Sequence, residues 1–221
     1  MKREIIKTSD GSTTIFLEDL NEHYHSKHGA INEAYHVFIK SGLDFFKANK
    51  DIHILEIGFG TGLNAFITLL EAEKNQLKIS YDGVEAYPVE ENELKQLNYV
   101  EELNAQKMCM QFILMHECKW EERHHISNYF NLKKRQHSFL EIDDNAVFDL
   151  IYFDAFGARV QPEFWTEDIF SKMYTALRQG GVLVTYSAKG SVRRAMQAVG
   201  FTVERLPGPP GKREMLRATK G

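Results

Sequence analysis

Long hydrophobic runs are missing from this sequence. No window of its 221 residues approaches 18 uninterrupted apolar positions, about the length a bilayer-spanning helix needs, so no membrane association is expected. The opening run MKREIIKTSDG is charged and has no apolar centre, and no secretory signal is read there. Cysteine is scarce: Cys109 and Cys118 are the only two. They are too few for a disulfide framework and lack the C-x-x-C spacing, which makes a reducing cytoplasm the expected location. Proline is also sparse, and three of the five fall in Pro207-Gly208-Pro209-Pro210-Gly211. That run lies between two strand-like segments and reads as a stiff hairpin loop, not a domain boundary. His23, His25 and His28 are spaced poorly for a metal, so no metal site is expected.

What is present fits a globular chain: 43% hydrophobic and 26% charged residues. No repeat or low-complexity linker divides it. We expect residues 1–50 to form an N-terminal extension, a hairpin and a helix, packed on a core of residues 51–221. Charge is uneven. From Ser171 onward there are ten basic and two acidic residues, a net +8, which leaves −12 for the remainder. Such asymmetry suits a polyanionic partner at the basic end, although alternating solvated faces would give a similar count.

Periodicity gives the elements. Short strands over Glu4–Thr8 and Thr14–Glu18 flank an Asp10-Gly11 turn. A helix is expected over Ile31–Lys47 with a soft break at Gly42. Strands at Ile52–Ile57, Lys78–Glu85, Val147–Phe153 and Val182–Ser187 alternate with helices at Leu63–Asn75, near Pro88, at Pro162–Arg178 and at Ser191–Val199. Gln179-Gly180-Gly181 reads as a helix stop, and Ser138–Ile142 as a further strand. Phe201–Leu206 and Arg213–Ala218 close the chain as strands. Residues 99–136 show helical spacing at Met108, Phe112 and Met115, then a polar-aromatic stretch in which Lys133-Lys134-Arg135 reads as a solvated turn. Alternating strands and helices predict an α/β fold: a mostly parallel twisted sheet with helices on both faces.

The run Leu55-Glu56-Ile57-Gly58-Phe59-Gly60-Thr61-Gly62-Leu63-Asn64 carries the chemistry. It follows an apolar strand and opens a helix, so glycines let the backbone approach a ligand where free helix N–H groups point. A dinucleotide fingerprint would place its third glycine at 63, where Leu63 stands. The tighter G-x-G-x-G suits a smaller cofactor. Glu85 ends the next strand, 23 residues after Gly62, where an acid can accept both hydroxyls of a ribose. Asp154 ends Phe148–Phe153 at the same edge. It can bind an ammonium group, accept a proton from a nucleophile, or simply cap the Pro162 helix.

The strand, glycine loop and acid resemble the class I S-adenosylmethionine methyltransferases, with a Rossmann-like fold and an antiparallel last strand. A longer string is more specific: Asp154-Ala155-Phe156, Pro162-Glu163-Phe164-Trp165-Thr166, Thr185-Tyr186-Ser187-Ala188-Lys189-Gly190 with Arg193-Arg194, and Gly208-Pro209-Pro210-Gly211-Lys212-Arg213-Glu214-Met215-Leu216. With Tyr24-His25-Ser26 and Glu33-Ala34-Tyr35-His36, it resembles the methyltransferases that make 5-methylaminomethyl-2-thiouridine at the tRNA wobble position. The likeness covers residues 14–64 and 148–217.

The resemblance implies S-adenosylmethionine as cofactor, held by Gly58, Phe59, Gly60, Thr61, Gly62 and Asn64, by Glu85 at the ribose, and by Asp154 and Glu33. Glu56 orders the loop. The family's Gly-Asp-Ala after the third strand is replaced by Glu141-Ile142-Asp143-Asp144, leaving Asp143 as the adenine candidate. The resemblance further implies a primary amine on tRNA as substrate, with Asp154 as proton acceptor or orienting group. Phe156, Lys189, Arg193, Arg194, Lys212 and Arg213 are the expected RNA contacts, and Trp165 a second base stacker. The family's flavin-binding half is not expected in this chain, so the oxidase step upstream would fall to a separate protein. Methylation of another RNA or a small amine, or a silent cofactor-binding module, are the alternatives.

Overall fold

The computed structural model describes residues 2–49 and 51–221. Two sheets organise it. β1 (Arg3–Lys7), β2 (Thr13–Leu17) and β3 (Glu22–His23) form a small antiparallel sheet. Asp10 fixes its first turn: one carboxylate oxygen accepts from the Thr8 hydroxyl at 2.8 Å, and the other accepts from Asn32 N–H at 3.0 Å. The second bond ties the hairpin to α1 (Ala30–Ala34). That helix continues as a wider π-helical turn over Tyr35–Lys40 before the chain breaks at Ser41-Gly42. The expected single helix to Lys47 is therefore shorter, and Leu43–Phe46 is a separate 3₁₀ turn.

The main sheet has eight strands. In chain order its first half is β4 (Asp51–Ile57), α2 (Leu63–Asn75), β5 (Lys78–Val84), then the short helices α3 (Glu91–Leu94), α4 (Tyr99–Glu102) and α5 (Cys109–Glu117). The second half is β6 (Arg123–Ser127), β7 (Phe130–Arg135), β8 (Phe148–Phe153), α6 (Glu167–Ala176), β9 (Leu177–Thr185), α7 (Gly190–Ala198), β10 (Phe201–Pro207) and β11 (Glu214–Lys220). The spatial order is β10-β11-β9-β8-β4-β5-β7-β6. The five central strands pair in parallel, whereas β11 and β6 enter antiparallel. The sheet is the mostly parallel one that alternating strands and helices require.

Its central strands are apolar on both faces. Ile52 and Ile54 of β4 join one core, while Leu55 and Ile57 join the other, as the alternation of side chains along a strand dictates. Leu150 and Tyr152 of β8 divide from Ile151 and Phe153 in the same way.

Five sequence expectations change. The 99–136 stretch resolves into α4, α5 and a hairpin of β6 and β7 at the sheet edge. Lys133-Lys134-Arg135 is not a solvated turn but the end of β7, paired with β5. Lys134 is 1% exposed, donates to the His116 carbonyl at 2.5 Å and lies 4.8 Å from the Trp120 ring centre. Ser138–Ile142 is a capped 3₁₀ turn, because the Ser138 hydroxyl and the Glu141 carboxylate each satisfy the other's backbone N–H. The Pro162 helix is split: Pro162–Trp165 is a single 3₁₀ turn, and Thr166 then caps α6. Finally, Gln179-Gly180-Gly181 stops no helix. Leu177 already pairs with Phe148, and the glycines absorb an irregularity within β9.

Candidate active site

Strand order reverses at β4, between β5 and β8, and open α/β sheets bind ligands at the carboxyl ends of strands there. A cavity of about 590 Å³ opens at that point. Gly58, Gly60, Asn64, Glu85, Asp154 and Phe156 all line it. With Phe59 and Thr61, which also line it, these are eight of the residues picked from sequence, drawn from three strand ends.

The loop is built by close approach. Gly58 has φ 91°, and a Cβ there would lie 2.8 Å from the Asp154 carbonyl oxygen. Gly60 has φ 48° and carries the Tyr24 ring against it, 3.1 Å from where a Cβ would stand. Glu85 braces the loop from the neighbouring strand. One oxygen accepts Gly60 N–H at 3.0 Å and the other accepts Tyr87 N–H at 2.9 Å. A carboxylate offers about four acceptor positions, so capacity for two ligand hydroxyls remains. Burial pushes the Glu85 carboxyl above its ordinary value against these bonds.

Asp154 stands across the loop, partly buried. Its Oδ2 accepts from Asn64 Nδ2 at 2.8 Å, and the same amide nitrogen reaches Glu56 Oε1 at 2.9 Å. Asp154 is therefore held by α2 and does not cap the helix after Gln161. Burial, reinforced by the nearby Glu33 charge, pushes its carboxyl up to about 7. Glu56 is fully buried within β4, where its contact with Asn64 sets the start of α2. Burial pushes it well above the carboxylate range.

Glu33, Lys212, Gly62, Trp165 and Asp143 do not line the cavity, whereas Phe59 and Thr61 do. Glu33 Oε1 is 2.5 Å from Lys212 Nζ, and its Oε2 accepts Ser26 N–H at 2.9 Å. Lys212 is accordingly not a free surface cation, and its Nζ also sits 3.8 Å over the Tyr186 ring. Phe59 wedges its ring against Gly83, with its edge toward His116 and Trp120. Thr61 Oγ1 accepts from the Tyr99 hydroxyl at 3.0 Å. Gly62 packs on the His116 ring. Trp165 is no stacker: it is 6% exposed and its Nε1 donates to the Phe156 carbonyl at 2.8 Å. Asp143 is exposed and outside the cavity, where Phe139 and Phe164 stand instead, 4.9 Å apart.

Sequence reasoning missed the wall facing the loop. Arg3, Leu17, Tyr24 and His25 reach the cavity from the N-terminal sheet. Arg3 is latched to Glu93 at 2.9 Å. Tyr24 meets Phe156 edge-on at 5.2 Å. His25 bonds Thr14 at 3.0 Å, and burial lowers it to about 4, so it is neutral at pH 7. Phe139 had a usable signal, since it follows a strand at the ligand-binding edge. Among the described residues, no group of three His, Cys, Asp or Glu could hold a metal, and no helix is long and apolar enough to cross a membrane.

Of the ten basic residues after Ser171, four pair with carboxylates: Arg178, Arg205, Lys212 and Arg217. Lys172 and Lys220 cap backbone carbonyls. Lys189, Arg193, Arg194 and Arg213 form no ion pair among the described residues. Lys189, Arg193 and Arg194 cluster at the start of α7.

The sheet order, the glycine cradle and the acids at two strand ends define a class I methyltransferase. The chain belongs to the S-adenosyl-L-methionine-dependent methyltransferase family, whose sequence model matches residues 93–221. Among curated proteins it is similar to the tRNA 5-methylaminomethyl-2-thiouridine biosynthesis bifunctional protein MnmC of Leptospira borgpetersenii serovar Hardjo-bovis, at 30% identity over 210 residues. That match covers 87% of this chain and 31% of the relative. The MnmC of Leptospira interrogans serogroup Icterohaemorrhagiae serovar copenhageni is 29% identical over 217 residues, covering 90% and 32%. The chain thus spans about a third of the length of these relatives. Among solved structures, MNMC2 from Aquifex Aeolicus superposes with a TM-score of 0.80 at 27% identity, over 98% of this chain and 70% of that one. Spermidine synthase from Thermotoga Maritima, at 14% identity and a TM-score of 0.55, shares the fold.

The cavity fits the family's cofactor. Side chains at Gly58 and Gly60 would fill the cradle. Glu85 keeps acceptor capacity within the cavity. Asn64, which lines the cavity, keeps its Oδ1 buried without a partner. The volume suits a ligand of this size.

Proposed function

We propose that this protein methylates the exocyclic amine of 5-aminomethyl-2-thiouridine at the wobble position of tRNA. The observation that carries the reading is Asp154, a carboxylate at a strand end in the cavity with its titration raised to about 7. A group poised near working pH is what proton transfer from an amine needs. The names of the Leptospira and Aquifex relatives supply the substrate.

In this reading Gly58, Gly60, Asn64 and Glu85 hold S-adenosylmethionine, with the backbone of Phe59, Thr61 and Gly62 shaping the loop. The bound cofactor supplies an electrophilic methyl on a cationic sulfur. Positioning then contributes much of the rate, and Asp154 accepts the proton that would otherwise occupy the amine's lone pair. Phe156 and Tyr24 frame the mouth as stacking surfaces for a splayed base. Lys189, Arg193, Arg194 and Arg213 contact phosphates. Residues 1–50 act as an extension that walls the site of the 51–221 core. An oxidase acting upstream supplies the primary amine. The two free cysteines and the tRNA substrate suit a cytoplasmic protein.

The test is nucleoside mass analysis of tRNA carrying 5-aminomethyl-2-thiouridine, incubated with the protein and S-adenosylmethionine. The expected result is the gain of one methyl on that nucleoside. Cofactor binding without that gain would overturn the proposed substrate.

A further inference from the structure

Beside Asp154 lies a cluster that cofactor binding leaves unexplained. Glu33 from α1 is buried and holds Lys212 from the β10–β11 loop at 2.5 Å. The Lys212 ammonium sits 3.8 Å over Tyr186, whose hydroxyl donates to the Ala155 carbonyl at 2.9 Å. The Glu33 charge pushes the Asp154 carboxyl up, and Lys212 opposes that push. The remaining titratable neighbours are Glu56, which shares the Asn64 amide with Asp154 and is pushed well above the carboxylate range by burial, the Glu22–Arg159 pair at 2.9 Å, with Glu22 acting on Tyr186, and His28, packed on Gly211. Asp154, which lines the cavity, thus has beside it the Glu33–Lys212 ion pair and one neutral tyrosine, none of which lines the cavity.

The charge count decides whether the amine can react. A primary amine reaches the site as an ammonium, with an alkylamine pKa of about 10. An ammonium has no lone pair. Two uncompensated carboxylates would stabilise that charged form further, since opposite charges within a few ångströms shift titration by about 1–3 units. One fixed cation cancels one of them.

We propose that Lys212 is a positioning residue for methyl transfer: by neutralising Glu33 it leaves a single negative charge at Asp154, so that the incoming ammonium gives up its proton there. This rests on the primary-amine reading of the substrate. The balance is complete. One N–H proton passes to Asp154 and frees the lone pair. The lone pair forms the N–C bond as the C–S bond of the sulfonium breaks, its electrons going to sulfur. The secondary ammonium product releases its extra proton to solvent.

The experiment measures single-turnover methyl transfer to the aminomethyl tRNA across neutral to alkaline pH, at saturating cofactor and tRNA. Wild type is compared with Lys212→Met, Lys212→Arg and the double variant Lys212→Met/Glu33→Gln. Lys212→Met is expected to move the rising limb upward by about one pH unit, giving a rate about tenfold lower at pH 7 that recovers at high pH. Lys212→Arg should keep the wild-type limb, and the double variant should restore it. An equal loss at every pH would overturn the proposal. So would weaker tRNA binding with an unmoved limb, the mark of a plain phosphate contact. A second measurement needs no substrate: the Asp154 carboxyl is titrated by carbon NMR in the free protein. Its midpoint should rise in Lys212→Met and return in the double variant, and an unmoved midpoint overturns the proposal. Inactivity of wild type overturns the substrate reading, while the titration still decides the role of Lys212.

Discussion

Asp154 is held neutral over much of the acid range by the burial that places it against the cofactor cradle. Two outcomes follow. Activity at subsaturating substrate should rise with pH through about 7 as the carboxylate ionises, and Asp154→Asn should remove that limb. The same substitution should lower turnover by about 10²–10⁴-fold while calorimetry still detects cofactor binding. The stability effect has the opposite sign. A carboxyl whose folded titration is raised opposes folding once pH exceeds its unfolded value, and increasingly so up to about 7. Asp154→Asn should therefore raise Tm at pH 8 by roughly 2–6 °C and leave it little changed near pH 4. An unchanged Tm difference between those conditions would contradict a carboxyl raised by burial. Two aromatics separate site from core in the same way. Trp165→Ala should cost about 3–5 kcal/mol of stability. Phe156→Ala, at the cavity mouth, should weaken methylation of tRNA with little change in the denaturant midpoint.

At the scale of elements, the β4–loop–α2 unit is the least tolerant of change. Gly58→Ala would press a methyl group toward the Asp154 carbonyl in a left-handed conformation. We expect about 1–3 kcal/mol of strain and loss of cofactor binding, read by calorimetry. This unit was legible in the sequence because its constraints are local: an apolar strand, three glycines and a helix, then an acid at the next strand end. The unread parts depend on distant contacts. Lys134 looks like a surface residue in Lys133-Lys134-Arg135, and only pairing with β5 and the Trp120 ring bury it. Glu33 and Lys212 were both picked as ligand contacts, yet 179 residues separate them and no local pattern joins them. Arg3 was silent for the same reason, and Tyr24 stood in a family motif with no site role read from it, since their place in the cavity wall follows from how the small sheet docks. Ser138–Ile142 was misread because a capping box competes with strand propensity over so short a run.

For the whole molecule, pairing trims the basic excess of the last 51 residues to a few free cations. Lys189, Arg193, Arg194 and Arg213 should then set the salt dependence of tRNA binding. Arg194→Ala should reduce the slope of log affinity against log salt by about one, uniformly across tRNA sequences. Arg178→Ala, whose partner is Asp149 at 2.9 Å, should leave that slope unchanged; equal effects would place the RNA on another face. The spatial order β10-β11-β9 has its own consequence. β10 leaves the ribosome before β11, yet its only neighbour in the sheet is β11. Until that later strand emerges and slips between β9 and β10, one strand waits unpaired and another shows an open edge. The basic start of α7, at 189–194, and the basic loop at 212–213 both border this late-closing seam. The nascent chain therefore has its cofactor cradle encoded early, but it gains its basic side only when the sheet is zipped shut.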